Sequence, residues 1–167
     1  NSEPFTMKNF ITLLSFILSL FVAGSLSHGQ AKQSTPHKQV WDGKKTSFHG
    51  FDQYNFPLER IACRVVVPKK IADGKPWIWR ARFFGHEPQF DIAMLNLGYH
   101  VVYCDVAGLY GNSKAVNRWN EFYNYLRFEH LFADRVVLEG MSRGGLIIYN
   151  WAAANPDKVS AIYADAP

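Results

Sequence analysis

The segment that decides the fold reads RVVLEGMSRGGLIIY and covers residues 135–149. Its first part is a short β-branched run, which is typical of a buried strand. A Gly-x-Ser-x-Gly pattern follows, and the apolar residues after it favour a helix. The segment therefore predicts a sharp bend between a strand and a helix, with Ser142 at the bend.

Ser142 is the candidate nucleophile. A strand that turns directly into a helix strains the backbone, and Gly140 and Gly144 have no Cβ atom that would clash in so tight a turn. The bend lifts the serine hydroxyl clear of the sheet, and free N–H groups of the helix N-terminus point toward the same space. The N–H of Arg143 is the predicted donor to an oxyanion, and one such donor lowers a barrier by about 3–4 kcal/mol. The alternative is a glycine-rich turn whose serine has no chemical role.

The composition is that of an ordinary globular protein. The chain has 167 residues, 48% of them hydrophobic and 19% charged, which suffices for one domain core. The net charge of +4 is mild, and the basic residues are scattered apart from two Lys-Lys pairs. We therefore expect no nucleic-acid partner.

The N-terminus has the pattern of a secretory signal peptide. Residues 7–24 form a short basic start and an apolar run, and small residues follow. We assign residues 1–31 to upstream residues and this signal, and the polar residues 32–46 to a linker. A permanent membrane anchor is the alternative, but the run is short for spanning and no stop-transfer charges close it. The expected location is therefore secreted or periplasmic, with no stable membrane anchor after cleavage.

Cys63 and Cys104 both lie in strand-like runs. An exported protein could pair them, but their alternating neighbours favour buried thiols. No Cys/His spacing indicates a zinc site, and we expect no metal and no cofactor.

The rest of the chain alternates strands with helices. Strands are predicted at 48–56, 60–67, 76–81, 99–104, from 135 and at 159–164, the first two as an antiparallel pair at a sheet edge. One predicted helix has its apolar face at Phe90, Ala93, Met94 and Leu97, with Gly98 as C-cap. Another begins at Ser113 as N-cap and has its apolar face at Val116, Trp119, Tyr123 and Leu126. This order predicts an α/β fold with a mainly parallel, doubly wound sheet.

The chain resembles the α/β-hydrolase superfamily. Within it, the likeness is to secreted serine hydrolases or esterases, or to prolyl-oligopeptidase-like proteins. Besides the pattern at Ser142, the loop 105–113, DVAGLYGNS, is similar to the Asp-x-Arg-Gly-x-Gly-x-Ser segment that many members carry. The resemblance covers residues 47–167 and implies the N-terminal portion of a hydrolase domain, truncated after about the sixth strand.

The resemblance also implies an oxyanion hole and a substrate pocket. The second oxyanion donor would be the backbone N–H of Arg82 or Phe83, although residues 81–86 lack the family's His-Gly motif. His86 and Asp105 are the candidate pocket residues. Arg80 is either a further pocket residue or a surface charge at the edge of its strand.

The family's triad runs Ser, then Asp or Glu, then His along the chain. Every histidine of this sequence precedes Ser142: His28, His37, His49, His86, His100 and His130. We expect the triad histidine downstream of Pro167, and the alternative is another base such as His86. Asp165 is a candidate acid, against a role as a turn residue that binds local N–H groups.

The expected function is that of an exported serine hydrolase. Ser142 would form an acyl-enzyme with a carboxylic ester, either a small molecule or a carbohydrate-linked ester, and the segment alone would be inactive. The alternatives are a serine peptidase of the same fold and a non-catalytic binding module on a hydrolase scaffold.

Overall fold

The structure is a computed structural model that describes residues 40–167. The predicted signal peptide and residues 32–39 of the predicted linker lie outside the described residues. Seven strands lie between residues 40 and 167: β1 (Lys44–Phe48), β2 (Phe51–Leu58), β3 (Ile61–Val67), β4 (Trp77–Arg80), β5 (His100–Cys104), β6 (Val136–Met141) and β7 (Val159–Asp165). The α-helices of the same range are α1 (Gln89–Asn96), α2 (Ser113–His130) and α3 (Gly144–Ala154).

The strands form one sheet in the order β1-β2-β3-β5-β4-β6-β7. The pairings from β1 through β2 and β3 to β5 are antiparallel, and those from β5 through β4 and β6 to β7 are parallel. Helix α1 packs on one face of the sheet, and α2 and α3 pack on the other. Since parallel strands present their carboxyl ends at one edge, β6 delivers Ser142 to the edge where such folds bind ligands.

The first predicted strand, residues 48–56, is wrong as one strand: a turn separates β1 from β2, and residues 44–46 of the predicted linker belong to β1. Lys44–Phe48 pairs with β2 through the two-residue loop His49-Gly50, whose φ angles are 48° and 84°. Two left-handed residues in succession make the tight hairpin whose twist matches that of its strands. Only Phe48 of this outer strand is buried. Its other side chains are exposed and polar, so in the sequence they resemble a linker.

The core between the sheet and α2–α3 is aromatic. Trp79 of β4 stacks on Trp119 of α2, with ring centroids 3.9 Å apart, and Trp151 of α3 lies 5.3 Å from Trp79. The predicted face of α2 is confirmed at Trp119, Tyr123 and Leu126, which are all buried. The predicted cap is wrong by one residue, because the side chain of Asn112, not Ser113, accepts a hydrogen bond from the N–H of Ala115.

The predicted apolar face of α1 is confirmed at Phe90 and Met94, which are partly buried and pack against the core. It is wrong at Ala93 and Leu97, which are exposed, and the fully buried residues of this helix are Asp91 and Leu95. The predicted C-terminal glycine is confirmed, because Gly98 has a φ of 92° and a Cβ there would lie 2.7 Å from the backbone N of Ala72. The sequence analysis did not predict Asp91, a carboxylate that is fully buried on this helix.

Cys63 and Cys104 are buried free thiols, as the alternating pattern predicts. They are register partners on the antiparallel strands β3 and β5. The contact of Cys104 with Cys63 and its burial raise the pKa of the Cys104 thiol. Among the described helices, none combines the length and the hydropathy that crossing a membrane requires.

Candidate active site

The backbone at Ser142 is strained in the way that the sequence pattern predicts. Its φ is 48°, in the left-handed region that a residue with a Cβ atom rarely adopts. Two hydrogen bonds fix the bend: the N–H of Ser142 donates to the carbonyl of Asp165 at 2.9 Å, and the N–H of Gly145 donates to the carbonyl of Ser142 at 2.9 Å. Ser142 is exposed at the junction of β6 and α3.

Gly140 allows helix α3 to pack closely against the end of β6. A Cβ atom at Gly140 would lie 3.0 Å from Cγ1 of Ile148 and 3.1 Å from the carbonyl carbon of Gly144. A Cβ atom at Gly144 would meet only ordinary contacts of 3.4 Å or more. The steric requirement for glycine is therefore stronger at the first glycine of the motif than at the last.

A cavity of about 480 Å³ opens above the serine. Leu146 and Tyr149 on the first turns of α3 form an apolar wall, with 45% and 48% of their surfaces exposed. The lining residues are Ser142, Arg143, Gly145, Leu146, Tyr149, Asn150, Ala166 and Pro167. The cavity has the size and the mixed polarity of a small-molecule site.

Two of the three predicted oxyanion donors, Arg143 and Arg82, lie at this bend. Arg143 precedes α3, and its N–H makes no hydrogen bond to another backbone group within residues 40–167. The same holds for the N–H groups of Arg82 and Phe83 in the loop between β4 and α1, residues 81–88. A Cβ atom at Gly144 would lie 3.7 Å from the backbone N of Arg82, so the main chain of Arg82 lies against the bend.

Besides Arg82 and Phe83, three predicted site residues do not line the Ser142 cavity. His86 is exposed on the β4–α1 loop. Asp105 is exposed after β5, and its Oδ1 accepts hydrogen bonds from the Tyr103 hydroxyl at 3.1 Å and from the N–H of Ala107 at 3.0 Å. Asp165 contributes its carbonyl to the bend, and the residue also lines a separate cleft of about 370 Å³ with Glu139 and Met141.

No histidine lines the Ser142 cavity within the described part of the chain. His100 is fully buried, and burial lowers its pKa to about 3. His130 stacks on Trp41 with ring centroids 3.8 Å apart, and burial lowers its pKa to about 4. Both rings are therefore neutral, and both belong to the core around Phe132.

The sequence analysis missed a buried ionic cluster beneath the site. Arg80 is 1% exposed, so both predicted positions for it, in the pocket and on the surface, are wrong. Its Nη1 donates to Asp91 Oδ2 and to Glu139 Oε1, each at 2.8 Å. Burial and the carboxylate of Asp91 raise the pKa of Glu139 to about 8, and burial raises the pKa of Asp91. The spacing Arg80–Asp91–Glu139 follows no local period, so no sequence signal relates the three residues.

Comparisons with known proteins agree on the fold. No protein-family model matches the sequence, and no curated protein is detectably similar to it. A cold-adapted esterase from an Arctic intertidal metagenomic library is similar in structure, with a TM-score of 0.58 and 10% identity over 75% of this chain and 63% of that one. An acetyl xylan esterase from Aspergillus awamori has a TM-score of 0.55 and 12% identity over 66% of this chain and 50% of its own. Cfl2 from Burkholderia cenocepacia has a TM-score of 0.51 and 17% identity over 74% of this chain and 45% of its own.

The described residues adopt the α/β-hydrolase fold. The mixed sheet, the helices on both of its faces and the strand–serine–helix bend agree with the predicted fold class. The sequence spans about half the length of the solved structures that it matches.

Proposed function

We propose that the protein is an exported serine hydrolase that cleaves carboxylic esters through an acyl-enzyme on Ser142. The observation that carries the proposal is the left-handed backbone of an exposed serine where β6 meets α3, beneath an open cavity. A strained conformation of this kind persists where the surrounding structure enforces it, and such residues concentrate at functional sites. The neighbours described as esterases support the reaction class.

The chemistry follows from the groups around the bend. The Ser142 Oγ attacks the ester carbonyl as its proton passes to a base, and the alkoxide leaves with a proton returned from that base. The N–H groups of Arg143 and of Arg82 or Phe83 receive the negative charge that develops on the carbonyl oxygen. Water then attacks the acyl-enzyme and releases the acid, which regenerates the serine hydroxyl.

The base is the part of the machinery that residues 40–167 do not bring to Ser142. His100 and His130 are buried in the core, and neither lines the cavity. We place the triad histidine in a part of the protein outside the described residues. Asp165 stays a candidate for the acid, and it lines the separate cleft, not the Ser142 cavity.

The residues that line the cavity limit which substrates can bind. Leu146 and Tyr149 offer apolar surface beside the serine, and the positively charged Arg143 lines the same cavity. An ester with an apolar acyl or alcohol group fits this wall, and a carbohydrate-linked ester fits with its sugar in the open mouth. The predicted signal peptide supports export to such substrates.

A probe for activated serines tests the function. The full-length gene product is treated with a fluorophosphonate, and its hydrolysis of p-nitrophenyl acetate is measured. We expect labelling at Ser142 and ester hydrolysis, and we expect the Ser142→Ala variant to lose both by several orders of magnitude. Ser160→Ala, at an exposed serine of β7, is the matched control and retains both activities.

Absence of labelling together with absence of hydrolysis in the folded wild-type protein would support a non-catalytic module instead. The His86→Ala variant tests the alternative base. Because the His86 side chain does not line the cavity, we expect the variant to be labelled at the wild-type rate.

A further inference from the structure

Arg80 contacts two parts of the β4–α1 loop as well as the buried carboxylates. Its Nε donates to the carbonyl of Arg82 at 3.3 Å, and its Nη2 donates to the carbonyl of His86. Its Nη1 donates to Asp91 on α1 and to Glu139 on β6. One guanidinium therefore joins the loop to the strand that carries Ser142.

The backbone of the β4–α1 loop has several left-handed residues, so other contacts must hold its conformation. Phe83, Gly85 and Glu87 have φ angles of 51°, 84° and 46°. Two of these residues have a Cβ atom, so their left-handed conformations are strained and persist only if surrounding contacts enforce them. Within the loop the N–H of His86 donates to the carbonyl of Phe83 at 3.0 Å, which closes one turn.

The two carbonyls that Arg80 binds lie at the start of the loop and near its end. The Arg82 carbonyl belongs to the peptide whose N–H is that of Phe83, so Arg80 orients the peptide plane of one candidate oxyanion donor directly. The Arg82 N–H precedes the same peptide. Glu139 lies three residues before Ser142 on β6, and the N–H of Ala81 donates to the carbonyl of Glu139 at 2.9 Å.

We propose that Arg80 is a positioning residue that holds the Arg82–Phe83 peptide at a fixed distance from Ser142, so that the Phe83 N–H of this peptide, or the Arg82 N–H before it, meets the oxyanion. The proposal rests on the acyl-enzyme function proposed above. Arg80 acts through the loop and does not contact the substrate, since its side chain is fully buried. The carboxylates balance the charge of the buried guanidinium through Nη1, and the donors Nε and Nη2 orient the loop through the carbonyls of Arg82 and His86.

An arginine is required here because of its donor geometry. The planar guanidinium presents donors in a rigid fork, and Arg80 uses it for two carboxylates and two carbonyls. A lysine ammonium is a single point charge with three donors, and it cannot reach both ends of the loop. Lysine at position 80 therefore retains the charge that the carboxylates require and releases the loop.

The test compares Arg80→Lys with Asp91→Asn in the full-length protein. Asp91→Asn alters the same cluster but leaves both loop carbonyls bound to Arg80, and Glu139 can ionise to balance the guanidinium. For p-nitrophenyl acetate we expect kcat of Arg80→Lys to fall about 10- to 100-fold with KM nearly unchanged, because misplacement of a donor by about 1 Å weakens transition-state binding selectively. The fluorophosphonate labelling rate should fall in parallel. For Asp91→Asn, kcat and the labelling rate should stay within about threefold of the wild-type values, because the oxyanion donors remain in place.

A second variant covers the case in which Arg80→Lys does not fold. The double variant Arg80→Gln/Asp91→Asn leaves no uncompensated charge in the cluster when Glu139 is protonated, and Asp91→Asn is its single-substitution control. We expect the same selective loss of kcat. All rates are expressed per folded molecule, measured by circular dichroism and by titration of the labelled serine.

The outcomes separate this inference from the proposed function. Wild-type labelling with an equal kcat per folded molecule in the Arg80 variants would overturn the positioning role and leave the serine hydrolase intact. A purely structural role predicts that result, because it changes only the folded fraction. A wild-type protein that neither reacts with the probe nor hydrolyses the ester would overturn the proposed function and this inference with it.

Discussion

Ser142 combines a chemical role with an unfavourable backbone conformation. A non-glycine residue at a φ of 48° destabilises the folded state by roughly 1 kcal/mol or more. The hydrogen bonds to Asp165 and from Gly145 hold the residue there. The left-handed conformation of Ser142 therefore lowers the free energy of unfolding of the protein.

Substitution of Ser142 by glycine and by alanine separates the strain from the chemistry. Both variants lose the hydroxyl, but only glycine adopts the left-handed region without steric strain. We expect Ser142→Gly to exceed Ser142→Ala in free energy of unfolding by about 1 kcal/mol. Urea titrations of the two variants give this difference, and an equal or lower stability for the glycine variant would show that the bend is unstrained.

Alanine substitutions at Gly140 and Gly144 should differ in their effect on the free energy of unfolding. A methyl group at Gly140 would overlap Ile148, whereas one at Gly144 has room. We expect Gly140→Ala to lower the free energy of unfolding by about 1–3 kcal/mol, and Gly144→Ala to change it by less than about 0.5 kcal/mol. Thermal or denaturant unfolding measures both, and equal effects would contradict the close packing of α3 on β6.

At the scale of elements, strand and helix positions follow from the local pattern, whereas the partners of buried charges do not. The bend at Ser142 and the C-terminal glycine at Gly98 were predictable because each has a local steric cause. Arg80 was not, since its partner Glu139 lies 59 residues away along the chain. The burial of Asp91 on α1 was missed for the same reason, because the group that binds its carboxylate is Arg80 on β4.

The N-cap of α2 gives a prediction for one element. Asn112 has φ −66° and ψ 176°, and its side chain accepts from the N–H of Ala115, while Ser113 already lies inside the helix. We expect Asn112→Ala to lower the free energy of unfolding by about 1 kcal/mol. Ser113→Ala, an exposed neighbour, is the control and should change it little. A larger effect at Ser113 would restore the cap that the sequence predicted.

At the scale of the whole molecule, buried ionisable groups make stability depend on pH in two directions. The pKa of His100 is lowered to about 3 by burial, with smaller contributions from Lys75 and His130. Below about pH 6.5 the unfolded chain binds a proton that folded His100 does not, so stability falls as pH decreases toward 3. Glu139 acts oppositely: its pKa is raised to about 8, so stability decreases as pH rises from about 4.5 to 8.

Replacement of His100 tests the acidic branch. In His100→Leu the titrating ring is absent, so we expect the loss of stability between pH 7 and pH 4 to be smaller than in the wild type. Denaturant titrations at the two pH values measure that loss. His49→Leu, at an exposed residue of the β1–β2 turn, is the control and should retain the wild-type dependence. An unchanged dependence in His100→Leu would mean that His100 ionises normally in the folded protein.

The aromatic core also gives the molecule an intrinsic optical reporter. All five tryptophans are buried, and the rings of Trp79 and Trp119 stack nearly parallel, with an interplanar angle of 16°. We expect indoles in such contact to couple their electronic transitions and to contribute to the circular dichroism spectrum. Trp151, on the helix that begins beside Ser142, lies 5.3 Å from Trp79. We therefore expect this contribution to change when that helix is displaced during turnover, with no dye attached.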